Sequence, residues 1–353
     1  MEKFDVAVVG AGPIGLELAV ALKRRGVDYV QLEARQIGHT MTWWAPQTRF
    51  FSSNERIAIA GVPLVTPDGS KATREQYLAY LRTVVQMFGL PVRTYEPVTG
   101  VSPAAGGGFE VTTRSRSGLR SYRVSRVVLA VGGTERPHCL DIPGEDLPHV
   151  SHYLGEPHQY FGQRVLIVGG KNSAAEAALR LYHAGAKVLL SYRQAELPKA
   201  SIKYWLYPEL SGLIGTGGIG AFFETVPVAI RPDAVELAHR DGRVEEVAAD
   251  FVLLLTGYEA DMTLFRMAGV TLKGKNEVPV FDPATMETNV PGLYVAGTAA
   301  AGTQSKYELF LENCHVHVER IVAHLTGTAA SAVSCDGAAR GSEVPLARLL
   351  PES

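Results

Sequence analysis

The sequence predicts an α/β protein, because a strand, a glycine-rich turn, a helix and a second strand occur twice along the chain. The first unit opens at Phe4 and the second at Arg164, and their strands are continuous apolar runs of the kind found in buried parallel sheets. At 353 residues the chain is also longer than one hydrophobic core normally serves. These observations predict two Rossmann-like dinucleotide-binding domains, the second inserted in the first.

The expected domain boundaries follow from the order of these segments. Residues 1–155 and 279–326 are expected to form the first domain, so that it is discontinuous, and residues 156–278 the second. Residues 327–353 are rich in Ala, Ser and Gly and are expected to form a poorly ordered tail.

Composition excludes several classes of protein. The net charge is −2, from 34 basic and 36 acidic residues without blocks of one sign, so neither nucleic acid nor anionic membrane is an expected partner. Cys139, Cys314 and Cys335 lie far apart and form no Cys-x-x-Cys pair, which argues against a disulfide scaffold, a zinc site and a dithiol centre. We expect no signal sequence, since the first residues enter a strand, and no membrane span, since no apolar run reaches roughly 18 residues. We expect a cytoplasmic protein that acts on small molecules.

The first glycine turn, residues 10–15, reads GAGPIG between a strand and a helix. Gly10 permits the turn, Gly12 lets the backbone approach a pyrophosphate, and Gly15 lets helix and strand pack closely. The helix N-terminus then faces the phosphates. Glu33 ends the second strand, 23 residues after Gly10, where its carboxylate can accept hydrogen bonds from an adenosine ribose.

Later segments favour FAD as the dinucleotide of this first unit. Residues 38–61 are irregular and unusually aromatic, and are a candidate cover for a flavin. Residues 129–133 (LAVGG) and 292–298 (GLYVAGT) are typical of flavin-binding domains, and the second resembles the strand whose terminal glycine approaches the flavin. The candidate FAD contacts are Gly10, Gly12, Pro13, Ile14, Gly15, Glu33, Ala34, Thr40, Trp44, Val98, Ala130, Gly132, Gly297 and Thr298.

A final helix is predicted over residues 305–325, starting at the sequence SKYE. The positive end of its dipole could face the pyrimidine edge of the flavin, which becomes anionic on reduction. The alternative is an ordinary core helix.

The second glycine turn reads GGKNSA at residues 169–174, with Lys171 in the place of the usual second glycine. Arg193 stands after the following strand, where Glu33 stands in the first unit, and no carboxylate occurs until Glu196. Because a guanidinium suits a 2′-phosphate and an acid would repel it, NADPH is favoured over NADH. The candidate NADPH contacts are Gly169, Gly170, Lys171, Asn172, Ser173, Ala174, Tyr192, Arg193, Lys203 and Gly257.

The sequence contains ten histidines, of which His315 and His317 are one residue apart. Residues two apart on a helix point to different faces, so this pair is not expected to share a metal ion. We expect no metal site.

Four phrases of the sequence carry a resemblance to a known family: GAGPIG, TRFFSSNERIAIAG, LPHVSHY before FGQRVLIVGGKNSAAEAAL, and SIKYWLYPEL. Over residues 4–325 the chain resembles the bacillithiol disulfide reductases, thioredoxin-reductase-like flavoproteins that lack a dithiol motif. The resemblance implies a flavoprotein with an FAD domain interrupted by an NADPH domain. It also implies that electrons pass from NADPH through FAD to a low-molecular-weight thiol disulfide, and that the protein is a homo-oligomer.

The chain departs from that family at one position of the first glycine turn. Many members carry a cysteine next to the flavin where this chain has Ile14. The resemblance therefore leaves the catalytic residue unknown, with Cys139 and Cys314 as the candidates.

Three alternative functions remain open. A flavin-dependent monooxygenase usually shows Phe-x-Gly, three residues, His and an aromatic residue between its domains, and residues 149–153 lack the leading Phe-x-Gly. A non-enzymatic redox sensor would turn over slowly with every acceptor. A ferredoxin-type reductase would need a surface patch for an acidic protein, assembled from residues distant in sequence.

Overall fold

Apolar runs near the start and in the middle of the chain form the parallel central strands of two sheets in the computed structural model, which describes residues 1–327. The strands are β1 (Glu2–Val9), β2 (Tyr29–Leu32), β3 (Val92–Arg93), β4 (Val98–Pro103), β5 (Phe109–Ser115), β6 (Gly118–Leu129), β7 (Arg136–Pro137), β8 (Val150–Ser151), β9 (Arg164–Val168), β10 (Lys187–Tyr192), β11 (Gly220–Phe223), β12 (Thr225–Ile230), β13 (Ala234–His239), β14 (Val244–Ala248), β15 (Phe251–Leu254), β16 (Tyr258–Glu259), β17 (Leu272–Lys273), β18 (Val278–Pro279) and β19 (Leu293–Val295). The α-helices are α1 (Pro13–Arg24), α2 (Asn54–Ile57), α3 (Arg74–Phe88), α4 (Asn172–His183), α5 (Tyr207–Gly215), α6 (Thr263–Met267) and α7 (His315–Thr326).

The first sheet has the strand order β3-β2-β1-β6-β5-β4, and β19 also pairs with β6. The pairs β1–β2, β2–β3, β1–β6 and β6–β19 are parallel, whereas β4, β5 and β6 form an antiparallel meander. The strand β6 is long enough to pair in parallel with β1 and β19 and antiparallel with β5. Its C-terminal end therefore stands between β1 and β19, with all three strands running in the same direction.

Local signals in the sequence set the ends of the helix α3. Thr73 accepts a hydrogen bond from the backbone of Gln76, whose side chain accepts one from the Thr73 backbone, and this capping box starts the helix. Gly89 ends it in the left-handed conformation that glycine adopts readily. Both α3 and α7 pack against α1, whose inner face is buried from Ile14 to Leu22.

The second sheet is parallel throughout, with the strand order β11-β10-β9-β15-β8. The helix α4 is alanine-rich on its inner face and packs closely on β9 and β10. On the other face of the sheet, residues from the antiparallel ladder β12-β13-β14 share a core with Leu166 and Val252. The helix α4 and the β-meander β12-β13-β14 thus cover opposite faces of one sheet.

The chain divides into two compact units at positions that differ from the expected boundaries. The first unit holds residues 1–42, 47–136 and the segment that begins at Tyr258, and the second holds residues 43–46 and 137–257. Each boundary lies about twenty residues before the expected one. At the first boundary the reason is strand pairing, because β8 pairs with β15 in the second sheet. At the second it is helix packing, because α6 packs against β4 in the first sheet.

The C-terminal helix starts later than expected. No α-helix forms over residues 305–310, and α7 begins at His315. Gln304 accepts hydrogen bonds from the backbone N–H groups of Glu308 and Leu309, and Asn313 accepts one from Phe310. Because these side chains take the backbone groups that a helix would need, they hold this segment as a loop. The prediction of a helix N-terminus at residue 305 was therefore wrong.

The predicted tail lies outside the described residues apart from Gly327, which ends α7 in the left-handed conformation. Within residues 1–327, no helix combines the length and apolar character needed to span a membrane.

Candidate functional site

The first glycine turn has a geometry that requires glycine at two places. Gly10 has φ +110°, and a side chain there would collide with the carbonyl oxygen of Ala130. A Cβ on Gly15 would collide with the carbonyl oxygen of Gly10. The turn therefore stands in backbone contact with the end of β6, which only glycine allows.

Gly12 occupies a different environment, although it belongs to the same turn. It is the N-cap of α1, no side chain caps the helix there, and a Cβ on Gly12 would have no neighbour within 4 Å. The N–H groups of the first turn of α1 thus face open space at the positive end of the helix dipole. This is the arrangement that binds a pyrophosphate, so the turn fits a dinucleotide.

Glu33 is fixed at the end of β2 by two backbone N–H groups. Its Oε2 accepts a hydrogen bond from Ala11 (2.7 Å) and its Oε1 accepts one from Arg35 (2.8 Å). A carboxylate offers about four acceptor positions, so two remain for ribose hydroxyl groups. Gln31 donates a hydrogen bond from Nε2 to the carbonyl of Gly10 (3.0 Å) and so stabilises the turn. The sequence analysis missed this residue.

Three strand ends meet around the first turn. Val9 and Val295 both pair with Leu129, so Gly10, Ala130 and Gly297 follow neighbouring strands at the carboxyl edge of the sheet. Gly132 lies just beyond this edge with φ +83°. Parallel sheets bind their ligands at this edge. The structure thus brings together residues separated by nearly 290 positions.

Ile14 and Gly297 lie against each other within this edge. A Cβ on Gly297 would lie 3.7 Å from the Cβ of Ile14, and Ile14 is buried. Pro13, as the first residue of α1, has the fixed φ that suits a helix start. Thr298 follows Gly297 in a short 3₁₀ turn, Gly297–Ala301.

His317 is a further candidate site residue of the first unit. The sequence analysis did not include it among the FAD contacts. Its Nδ1 accepts a hydrogen bond from the N–H of Gly297 (3.1 Å). Burial, together with the positive charges of Arg320 and His315, lowers the pKa of His317 to about 4, so the ring is neutral at pH 7. In the sequence, residues 315–318 read HVHV. This pattern does not predict a hydrogen bond to Gly297, which lies twenty residues earlier.

The two neighbouring histidines have separate partners. His315 contacts Glu17 through Nδ1 (2.7 Å) and the carbonyl of Arg56 through Nε2 (3.0 Å). Burial alone would lower the pKa of His315, but the hydrogen bond and charge of Glu17 outweigh it and raise that pKa. The two histidines of α7 therefore have different partners: His315 contacts Glu17 and Arg56, and His317 contacts Gly297.

The remaining FAD candidates are more dispersed. Ala34 is exposed directly after Glu33, Thr40 lies in the 3₁₀ turn His39–Trp43, and Val98 opens β4. Trp44 belongs to residues 43–46, which group with the second unit rather than with the domain in which it was expected.

Contacts of that short segment explain its grouping. The ring of Trp43 packs on Tyr153, with 5.5 Å between ring centroids, and Arg180 donates a hydrogen bond to the carbonyl of Pro46. The aromatic stretch at residues 38–61 is thus divided, and only part of it lies with the first unit.

The second glycine turn also requires glycine at two places, but its third residue is a lysine. A side chain at Gly169, where φ is +148°, would collide with the carbonyl oxygen of Leu255, and one at Gly170 would collide with the ring of Tyr192. Lys171 is the N-cap of α4 with φ −109°, a conformation open to any residue. This explains why lysine is accepted where the first turn has glycine.

Polar side chains surround this second helix start. Lys171, Ser173 and Arg193 are exposed, and Arg193 directly follows β10. Asn172 accepts a hydrogen bond from the backbone N–H of Lys203 (2.8 Å), which ties the loop after β10 to the turn. Two cationic side chains and the N-terminus of α4 therefore belong to one parallel βαβ unit.

Two further members of the predicted set lie at the same sheet. Ala174 is buried under the turn, where its methyl group faces Gly169. Gly257 is exposed after β15 with φ +112°, and its carbonyl accepts a hydrogen bond from His138 (3.0 Å). Because β9, β10 and β15 are neighbours, their carboxyl ends form one edge.

The cysteine candidates have contrasting environments. Cys314 is fully buried, and burial raises the pKa of its thiol well above the usual range, so it stays protonated and unreactive. Cys139 is exposed and belongs to the second unit. Cys335 lies outside the described residues.

Comparison with known proteins places this architecture in a family. A family model described as pyridine nucleotide-disulphide oxidoreductase matches residues 7–297. The chain is 34% identical over 318 residues to the bacilliredoxin reductase Bdr of Bacillus subtilis (strain 168), covering 90% of this chain and 96% of that protein. 

Two solved structures are similar over almost the whole chain. The bacillithiol disulfide reductase Bdr (YpdA) from Bacillus cereus has a TM-score of 0.87 and 33% identity, covering 92% of this chain and 99% of that one. The corresponding protein from Staphylococcus aureus has a TM-score of 0.86 and 31% identity, covering 93% and 99%.

Proposed function

Because the chain belongs to the pyridine nucleotide-disulphide oxidoreductase family, we propose that it uses NADPH, through FAD, to reduce the disulfide of a low-molecular-weight thiol. It is a flavoprotein oxidoreductase, as its family and relatives establish. The observation that carries the finer proposal is the difference between two otherwise similar units: Glu33 follows the second strand of one, and Arg193 follows that of the other.

The first unit would hold FAD. The open N-terminus of α1 at Gly12 suits the pyrophosphate, and Glu33 suits the ribose. Ile14 and Gly297 would lie beside the flavin at the carboxyl edge of the sheet. When bound, FAD would accept a hydride from NADPH and deliver two electrons to the acceptor.

The second unit would hold NADPH. Arg193 offers a guanidinium that can bind a 2′-phosphate through two hydrogen bonds, and Lys171 stands at the N-terminus of α4, where a pyrophosphate would be bound. The nearest carboxylate after β10, Glu196, is exposed three residues further on. This charge pattern favours NADPH over NADH.

The acceptor is proposed to be a small thiol disulfide of the bacillithiol class, from the printed names of the relatives. Its reduction breaks the S–S bond with two electrons and two protons and yields two thiols. The first glycine turn contains no cysteine, and Cys314 is buried and protonated. We propose that the bound flavin would reduce the disulfide without a thiol of this chain as intermediary; the exposed Cys139 is the alternative to be tested.

Anaerobic mixing of the yellow holoprotein with NADPH, and separately with NADH, tests the proposal. Rapid loss of flavin absorbance with NADPH only, followed by its recovery on adding bacillithiol disulfide, is the expected result. Recovery with glutathione disulfide at a much lower rate would define the substrate class. 

The variant Cys139→Ser provides the matched control for the proposed route of electrons. Full disulfide turnover in this variant supports direct reduction, whereas loss of the disulfide-dependent phase alone would assign that step to Cys139. If no disulfide restores the flavin absorbance but air does so with consumption of NADPH, the function is oxygen-dependent and the proposal fails.

We also propose a cytoplasmic setting and a homo-oligomer, as the resemblance implies. Light scattering of the holoprotein measures the oligomeric state, and a monomer at micromolar concentration would contradict it.

A further inference from the structure

Three side chains with metal-binding atoms converge in the second unit. They are Cys139, Glu145 and His152, and their ligand atoms all lie within 4.8 Å of one another. Five and six residues separate them along the chain, a spacing that is not typical of zinc ligands, which explains why no metal site was expected from the sequence. From this convergence we propose that Cys139, Glu145 and His152 form a binding site for Zn²⁺.

The distance between the imidazole and the carboxylate supports a shared ion. His152 Nε2 and Glu145 Oε1 are 3.6 Å apart, which is too long for a hydrogen bond. Two ligands at about 2.1 Å from a tetrahedral zinc ion are roughly 3.5 Å apart. The distance of 3.6 Å between His152 Nε2 and Glu145 Oε1 therefore matches two ligands of one ion. The other ligand atoms lie at most 4.8 Å apart, so their distances would have to shorten by only about 1 Å.

Hydrogen bonds from the surroundings hold Glu145 in place, and both Glu145 and His152 are mostly buried. The carboxylate of Glu145 accepts hydrogen bonds from the backbone N–H groups of Leu140 (2.9 Å) and Ile142 (3.4 Å), which orient it as supporting groups orient metal ligands. Side-chain exposure is 17% for His152 and 13% for Glu145. The Nδ1 of His152 is buried and makes no hydrogen bond within the described residues, so a ligand at Nε2 would fix the ring.

The chemistry of the group selects the ion. A thiolate, a carboxylate and a neutral imidazole carry two negative charges, which a divalent cation neutralises. Sulfur and imidazole ligands favour Zn²⁺ over Mg²⁺ or Ca²⁺, which prefer oxygen. Cys139 is exposed, so the fourth position faces solvent and would hold water.

Equilibrium dialysis of the chelator-treated holoprotein against Zn²⁺, with metal analysis, tests the site. One zinc ion more is expected in the wild type than in Cys139→Ser or His152→Gln, with binding weakened more than tenfold in each. The variant His158→Gln, at an exposed histidine of the same unit, should bind like the wild type. Because Cys139 is exposed, its replacement should not affect folding, and retained FAD and circular dichroism will verify this.

Alkylation gives a second readout that does not depend on turnover. Zn²⁺ should slow the reaction of Cys139 with iodoacetamide at least tenfold, and His152→Gln should abolish this protection. Wild-type protein that binds no zinc, or zinc binding that persists unchanged in both Cys139→Ser and His152→Gln, overturns the proposal. Neither result bears on whether the enzyme reduces disulfides.

Discussion

The Nδ1 atom of His317 on α7 accepts a hydrogen bond from the backbone N–H of Gly297, which follows β19 at the carboxyl edge of the first sheet. Gly297 has φ +74°, so its N–H is directed by a conformation that suits glycine. A side chain from the C-terminal helix thus fixes the glycine that we propose to lie beside the flavin.

Replacing His317 tests this relationship. His317→Leu leaves the buried N–H of Gly297 without a partner, so we expect a loss of about 1–3 kcal/mol in the free energy of unfolding and a lower FAD content. The variant His317→Asn is the control, because its side-chain oxygen can take the place of Nδ1. Equal stability of the two variants in urea would contradict the role assigned to this hydrogen bond.

The pKa of His317 predicts a pH dependence of stability. Its pKa is lowered to about 4 by burial in the folded protein, against about 6.5 when unfolded, so the unfolded chain binds the extra proton between these values. The stabilisation is complete above pH 6.5 and is lost as the pH falls towards 4, by up to about 3 kcal/mol. Subtracting the pH profile of His317→Asn from that of the wild type isolates this contribution, and a difference that does not vary with pH would refute it.

Two glycines of the first turn should differ sharply when replaced by alanine. Gly10→Ala meets the carbonyl of Ala130 and an unfavourable φ, so we expect destabilisation of at least about 1–3 kcal/mol. Gly12→Ala meets no atom of the protein within 4 Å, so the fold should remain while FAD binding weakens. Thermal unfolding together with flavin content distinguishes the two effects. A Gly12→Ala protein with normal FAD content would show that the pyrophosphate lies elsewhere.

Arg193 should determine the preference for NADPH. Loss of charged hydrogen bonds worth about 1.5–3 kcal/mol in Arg193→Ala should raise the KM for NADPH roughly 10- to 100-fold and leave that for NADH nearly unchanged. Arg240→Ala, at an exposed arginine of the same unit that pairs with Glu224, is the matched control. An equal change in both KM values would assign Arg193 to a part of the site common to both nucleotides.

The two described cysteines should differ in reactivity. In metal-free native protein, iodoacetamide should label Cys139 and leave Cys314 unmodified until the chain is unfolded, because burial keeps the Cys314 thiol protonated and inaccessible. Mass mapping of the labelled peptides is the measurement. Rapid labelling of Cys314 in the native state would show that α7 opens readily.

Strong local patterns in the sequence predicted much of the fold. The second βαβ unit was predicted to open at Arg164, where β9 begins, because apolar strands and glycine turns are local signals. The start of α7 was missed because Gln304 and Asn313 compete for backbone groups, which depends on the detailed path of the loop. The positions at which the chain passes between the units were missed because they depend on the pairing of β8 with β15 and on the packing of α6 against β4.

By itself, the sequence determined the family, the cofactor class and the residue types of both glycine turns, since each of these is written in contiguous residues with defined spacing. Only the tertiary structure decided which distant groups meet: His317 with Gly297, Ile14 with Gly297, and Cys139 with Glu145 and His152. These contacts arise where strands and loops distant in sequence end at one place. Their partners are selected by packing and hydrogen bonding in the folded chain, and no local periodicity records them.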